Sequence, residues 1–291
     1  MKAQKSILLV INPIAGDTDK KPIIEAFKNH VSTNGNTPLV YETTGENDNE
    51  AIANYIDDHD VKRVLISGGD GTIRQVADGL KERSINIGLL PSGSANGLAS
   101  NFLIPENLED QLDIALGDTF IDLDVLDING YTSLHIADLG VNAKLIENYE
   151  KSEIRGKLGY FLQAIPTLLN SDYPFEVEIF ANGKSHKEEG VLIAIANANK
   201  FGTGANINPT GKMDDGLFEV LIFKNLSIKG IIETFYNDAP LDPDFVTVIS
   251  SKEATIKCTK PIAFQIDGEF IGEQSLVEAK MTPHKLRIAI P

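Results

Sequence analysis

The chain has 291 residues, 42% hydrophobic and 23% charged, enough apolar side chain for two cores or one large one and too much for a disordered chain. A formal net charge of −16 argues against a nucleic-acid partner and sets a general repulsion towards anionic membranes. The single cysteine, Cys258, excludes an internal disulfide and a cysteine-based metal site.

The N-terminal apolar run Ile7–Ile11 is too short for a signal-peptide core, and Asn12-Pro13 ends it. No other run approaches the ~20 apolar residues of a membrane span. The expectation is a cytoplasmic protein whose contact with a membrane is peripheral. Lys151, Arg155 and Lys157 form a candidate basic patch for such contact, although for those three residues alone a solvated helix face is the stronger reading.

In chain order, Ser6–Ile11 reads as a buried strand and Lys21–Thr33 as a helix with Pro22 in its first turn. Pro38–Tyr41 is a second strand and Asn49–Asp57 a second helix. Val61–Ser67 and Thr72–Arg83 form the third pair. Ile87–Leu90 is a fourth strand, followed by a Gly/Ser loop and a short helix near Asn96–Asn101. Strands alternating with helices predict an α/β domain with a parallel sheet, in which ligands bind at the loops leaving the strand C-termini. From about Ile121 the pattern turns to strands: Ile121–Ile128, Thr132–Leu139, Phe175–Ala181, Gly190–Ala196, Leu217–Phe223, Val246–Ser250, Ala254–Cys258, Ile262–Ile266 and Lys285–Ile290. Turns fall at Asn129-Gly130, Asn182-Gly183 and Asp267-Gly268, and helices at Lys157–Asn170 and Ile228–Asn237. A mainly β sandwich or barrel is expected here. The boundaries read as 1–121 for the α/β domain, 122–280 for the β domain, and 281–291 for a C-terminal strand returning to the first.

Three clusters sit where strands of the first half end. Asn12-Pro13-Ile14-Ala15-Gly16 follows the first strand, and its small residues let backbone amides approach an anion. Gly68-Gly69-Asp70-Gly71-Thr72 precedes the third helix, whose N-terminus favours phosphate. Asp70 would orient a metal or a phosphate-bound water, and Thr72 would cap the helix. Pro91-Ser92-Gly93-Ser94-Ala95-Asn96 opens the next helix, with Gly93 permitting close approach and Ser94 and Asn96 offering hydrogen bonds to phosphate or a helix cap. A fourth cluster, Asp267-Gly268-Glu269, is also a common hairpin turn. The five histidines show no metal-ligand spacing.

Taken together, Asn-Pro-x-Ala-Gly, Gly-Gly-Asp-Gly-Thr and Pro-x-Gly-Ser-x-Asn resemble the diacylglycerol kinase catalytic domain family, which includes bacterial soluble lipid kinases and sphingosine kinases. The resemblance continues through Asn197-Ala198-Asn199, Phe201-Gly202-Thr203-Gly204 and Pro209, then Asp215-Gly216-Leu217-Phe218-Glu219-Val220, then Asp267-Gly268-Glu269. It implies an NAD kinase/diacylglycerol kinase-like fold, ATP and Mg²⁺ as cofactors, and a lipid acceptor at a membrane surface. It implies nucleotide contacts from Asn12–Gly16, Gly69–Gln75, Ser94 and either Thr43 or Thr44. It makes Glu269 the general base that deprotonates the acceptor hydroxyl. It gives Asp215, with the backbone carbonyls of Lys212 and Leu217, a bracing Mg²⁺ site of hard oxygens.

Two departures bear on specificity. Gly97 stands where many bacterial relatives have Asp, and Arg74-Gln75 replaces the common Asn-Glu. The expected activity is phosphate transfer from ATP to the hydroxyl of diacylglycerol or a related lipid, a sphingoid base included. The rivals are an NAD kinase-like enzyme and a non-catalytic nucleotide- or lipid-binding module. The sequence leaves a homodimer open.

Overall fold

Ile7 to Ile11 form an unbroken apolar run, and a strand with apolar residues on both faces must be covered on both. The computed structural model, which describes residues 5–80, 83–93, 96–150, 174–201, 205–225, 234 and 241–291, meets that requirement. Strands β1 (Ser6–Ile11), β2 (Thr37–Glu42), β3 (Arg63–Gly68) and β4 (Asn86–Pro91) pair in parallel in the order β2-β1-β3-β4. Between them run α1 (Lys21–Thr33), α2 (Asp48–Asp58) and α3 (Asp70–Gly79); α4 (Gly97–Asn101) and α5 (Leu108–Leu116) follow β4. Ile7, Leu9 and Ile11 pack with Phe27 and Val31 of α1 and Leu112 and Ala115 of α5. The strand period of two sends Leu8 and Val10 to the opposite face, where they are fully buried.

The chain divides into two compact units, Met1–Leu123 with His284–Pro291, and Asp124–Pro283. In the first, Arg287 and Ile288 extend the parallel sheet beside Asn86 and Ile87 of β4. Near this edge the Phe120 ring lies 5.4 Å from the Arg63 guanidinium and 4.7 Å from that of Arg287.

The second unit contains the later part of β5 (Phe120–Ile128), then β6 (Tyr131–Ser133), β7 (Ile136–Gly140), α6 (Val141–Glu150), β8 (Phe175–Ala181), β9 (Lys184–Gly190), β10 (Leu192–Ala196), β11 (Phe218–Phe223), β12 (Val246–Ser251), β13 (Glu253–Ile266) and most of β14 (Glu269–Ala289). The two strands expected at Ala254–Cys258 and Ile262–Ile266 are one 14-residue strand, β13, with a register shift between Lys257 and Ile262. Its first half pairs with β8 and its end with β7, and a second register shift falls between Phe264 and Gln265, so irregularities let one strand serve two partners. Phe218, Phe264, Ile179, Ile195 and Ile256 meet in the core between them. Cys258, on the first half of β13, is half-buried, and burial pushes its thiol up to about 11.

Several elements depart from the sequence expectation. The strand expected over Thr132–Leu139 breaks at Leu134-His135, because the Asp267 carboxylate takes both of those amides. Helix α3 starts at Asp70 and ends at Gly79, not at Thr72 and Arg83. Strand β9 and the first half of β14 are polar along most of their length and carry little apolar alternation to read. Helices α5 and α6 were also not expected; α5 starts at Asn107, whose side chain accepts from the amides of Glu109 and Asp110. The helix expected at Lys157–Asn170, the basic patch of Lys151, Arg155 and Lys157, and all of Ile228–Asn237 except Thr234 lie outside the described residues.

That cap supplies a simple check on α5. Asn107→Ala should lower stability by about 1 kcal/mol in urea denaturation, and Asn107→Asp should keep most of it.

Candidate active site

Three loops leave the C-terminal ends of β1, β3 and β4, and side chains lace them together. The Asn12 amide donates to the Ser67 carbonyl at 2.9 Å, and its Nδ2 donates to Thr72 Oγ1 at 3.3 Å. Thr72 therefore does not cap α3. The cap residue is Gly69, with no side-chain cap bond, so the first-turn amides around Asp70 and Gly71 keep their N–H dipoles for a ligand. Gly68 has to be glycine because a Cβ would lie 2.4 Å from Thr72 Oγ1.

The first and third loops touch directly. Gly16 has φ 65°, and a Cβ on it would lie 2.3 Å from the Ser92 carbonyl oxygen. The hydroxyls of Ser67 and Ser92 are 3.0 Å apart, and the Ser92 amide donates to the Gly68 carbonyl. Pro13 and its neighbour Ile14 are exposed, with the Ile14 amide donating to Asn12 Oδ1.

Asp70 binds the second loop to the helix after the third. Its two carboxylate oxygens accept from the amides of Gly97 (2.7 Å) and Leu98 (3.0 Å). Asn96 shapes the same loop: its side chain accepts from the Gly93 amide and donates to the Gly93 carbonyl. Gly97 is buried, and it uses its amide on Asp70. Ser94 lies outside the described residues, as do Gly202, Thr203 and Gly204.

The loop after β2 is organised by a residue the sequence reading passed over. Asp48, with no solvent exposure, accepts from the amides of Thr44 and Gly45, the hydroxyls of Thr44 and Tyr41, and Nε2 of Gln75. Burial alone would push its carboxyl up, but these donors together hold it below the ordinary range. Burial and the neighbouring carboxylate push Tyr41 up to about 12. Gln75 is thereby committed to the fold. The two threonines now differ. The Thr44 hydroxyl is engaged with Asp48 and the Glu46 carbonyl, whereas Thr43 anchors its amide on Ile11 and shows no side-chain hydrogen bond.

In the second unit, Asp267 and Gly268 both have positive φ, 50° and 89°, as a two-residue hairpin turn requires. The Asp267 carboxylate accepts from Ser133 Oγ and the amides of Leu134 and His135. It is a brace, and Glu269 beside it is the exposed acid of the turn. Gln265 steadies the turn from below: Oε1 accepts from the Gly268 amide at 2.7 Å, and Nε2 donates to Asp138 Oδ2 at 2.5 Å. Asp138 is fully buried. Burial pushes its carboxyl up to about 7, against the opposing hydrogen bonds from Asn142, Gln265 and the Ala143 amide.

The loop over residues 211–217 is pinned to Asp124, which accepts from the Gly216 amide and donates its own amide to the Met213 carbonyl. Asn199 Nδ2 donates to the carbonyls of Asn208 and Gly211, fixing the loop's other side. Asp215 uses Oδ1 on the Leu217 amide, leaving Oδ2 beside a loop rich in carbonyls. Were Mg²⁺ to bind here, Asp215 with the carbonyls of Lys212 and Leu217 would supply hard oxygens for it. Among the described residues no cluster of three or more His, Cys, Asp or Glu is set to hold a metal.

Two titrations follow. Asp48 has a depressed folded pKa, so its contribution is present above the unfolded value of ~3.9 and disappears only as pH falls below it. Asp48→Asn should cost about 1–3 kcal/mol at pH 7 in urea melts, with the gap to wild type closing below about pH 4. Asp138 has a raised folded pKa, so the unfolded chain loses its proton first and stability falls between about pH 4 and 7. Asp138→Asn should flatten that slope in the same melts.

Comparison with known proteins agrees with this architecture. Residues 6–128 match the diacylglycerol kinase catalytic domain family, and residues 136–290 match the YegS C-terminal NAD kinase beta sandwich-like domain. The chain is 28% identical over 98% of its length to the probable lipid kinase YegS of Shigella dysenteriae, covering 95% of that protein. It is 27% identical, with the same coverage, to the protein of that name in Escherichia coli K12. A diacylglycerol kinase from Bacillus anthracis strain Sterne shares the fold, with a TM-score of 0.77, 18% identity, and coverage of 100% of this chain and 98% of that one. An NAD kinase from Archaeoglobus fulgidus, solved with ATP, shares it more distantly, with a TM-score of 0.54, 12% identity, and coverage of 98% and 93%. An α/β unit with laced strand-end loops and a β unit with a braced acidic hairpin thus carry, in order, the two domains of one family, and the chain belongs to it: it is a kinase of the diacylglycerol kinase catalytic domain family with a YegS-type C-terminal domain.

Proposed function

We propose that the protein transfers the γ-phosphate of ATP to the hydroxyl of diacylglycerol or a related lipid, with a sphingoid base as the neighbouring acceptor class. The observation that carries this reading is the lacing of the 12–16, 68–72 and 92–97 loops at the ends of three parallel strands. Backbone amides at such a rim favour polyphosphate, and phosphoryl transfer depends mainly on positioning and charge stabilisation.

In this mechanism the amides near Gly16, Gly69 and Gly71 hold the phosphates, Gly93 allows close approach, and Asn12, Thr43, Thr72, Ser94 and Asn96 are the polar side chains offered to the nucleotide. Asp70 keeps the second and third loops in register while the free lone pairs of its carboxylate face solvent or a hydrated metal. Glu269 accepts the proton of the acceptor hydroxyl as that oxygen attacks phosphorus, and ADP leaves. Mg²⁺, when bound, neutralises phosphate charge and, at Asp215, braces the loop over 211–217. Contact with the bilayer is peripheral and at its cytoplasmic face in this reading; among the described residues no helix is long and apolar enough to cross a membrane. The fold shared with the ATP-bound NAD kinase makes NAD the acceptor to test against lipids.

The test is transfer of labelled γ-phosphate from ATP into diacylglycerol, a sphingoid base, a whole-lipid extract and NAD. Label in a lipid and none in NAD supports the proposal; label in NAD alone replaces it. Glu269→Gln should bind ATP as the wild type does and transfer phosphate about 10²–10⁴-fold more slowly. Wild-type turnover by that variant would remove Glu269 from the mechanism.

A further inference from the structure

Lys20 ends the segment after β1 and stands one residue before α1. It is only 7% exposed. Its ammonium donates to Thr18 Oγ1 at 3.0 Å and to the Ser92 carbonyl at 3.1 Å. Both acceptors are neutral, and an ammonium has a third N–H to place. No ion pair to it is found among the described side chains, which do not include that of Asp17, and burial lowers its pKa. Lysine is rarely buried to this degree without a counter-charge, because desolvation penalises the charged form heavily.

The helix that follows has its own carboxylate: Asp19 Oδ1 accepts from the Lys21 amide at 3.0 Å, so the start of α1 is met without Lys20. What is left over is the buried Lys20 ammonium itself, held by two neutral oxygens, and an anion is the partner that would relieve it. The location says which anion. The Ser92 carbonyl that receives Lys20 is the group on which Gly16 is pressed, so the ammonium lies at the seam of the first and third loops.

We propose that Lys20 is a phosphate anchor of this site, its buried ammonium pairing with a phosphate oxygen of a nucleoside polyphosphate held along the 12–16 and 92–93 loops. The inference rests on the nucleotide reading above and adds to it a residue outside the glycine motifs. Lys20 also reaches the Ser92 carbonyl, so the same ammonium touches the third loop.

The test measures ATP with Mg²⁺, and separately sodium tripolyphosphate, by calorimetric titration and by thermal shift on the full chain. Wild type, Lys20→Met and Lys20→Gln are compared at fixed ionic strength. Removing a charged hydrogen bond to phosphate should weaken both ligands on the order of 10- to 100-fold. Without ligand, Lys20→Met should melt at or above the wild-type temperature, because it deletes an uncompensated charge. Lys20→Gln keeps a donor for Ser92 and drops the charge, and gives the same comparison if Met disturbs the packing. Wild-type affinity for tripolyphosphate in both variants overturns the proposal, and so does a lowered unliganded Tm with unchanged ATP affinity, which is the signature of a purely structural lysine. A wild-type chain that binds neither ligand overturns the nucleotide reading itself, and this inference with it.

Discussion

The glycine loops at the rim of the parallel sheet have little stiffness of their own, and hydrogen bonds from a few side chains to backbone supply it. Asp70 is central: one carboxylate accepts two successive amides, Gly97 and Leu98, and so fixes where the chain after β4 turns back into α4. Charge-assisted bonds of this kind are short and strong. Asn12 and Ser67 tie the other two loops to the same frame. The rim is thus preorganised by the protein before any ligand arrives, which is the condition under which amide dipoles stabilise phosphate most.

The β unit uses the same device for a different end. At the β13–β14 hairpin Gln265 accepts the Gly268 amide and Asp267 ties the turn to Ser133, Leu134 and His135, and the exposed carboxylate of Glu269 rides on the turn they hold. Asn197 adds a further staple, its Nδ2 shared between the carbonyls of Asp124 and Leu134 deep in the unit. Among the described residues neither its buried Oδ1 nor Asp138 Oδ1 meets a hydrogen-bond donor. Unsatisfied oxygens in an otherwise well-bonded interior are costly, and both belong to the polar layer beneath the turns.

The parallel sheet was legible because its strands are apolar on both faces and its helices alternate with them. The three loops were legible because glycine beside acid and amide residues has few other uses. What the sequence hid has physical causes. Strand β9 reads Lys-Ser-His-Lys-Glu-Glu and joins the sheet through its backbone, with only Gly190 fully buried. The break at Leu134 depends on Asp267, more than a hundred residues away. Thr72 looks like a cap because Ser and Thr commonly are, yet Asn12, in the loop after β1, donates to its hydroxyl. Asp48 and Lys20 carry no local motif at all; burial marks them, and burial is a tertiary property.

Cys258 has a practical side. It is the only thiol in the chain, and burial pushes its pKa up to about 11, which disfavours the thiolate at neutral pH. Alkylating probes and mild oxidants act through the thiolate, so this position is chemically quiet. A spectroscopic reporter placed on an engineered surface cysteine could therefore be attached selectively with the native residue left in place.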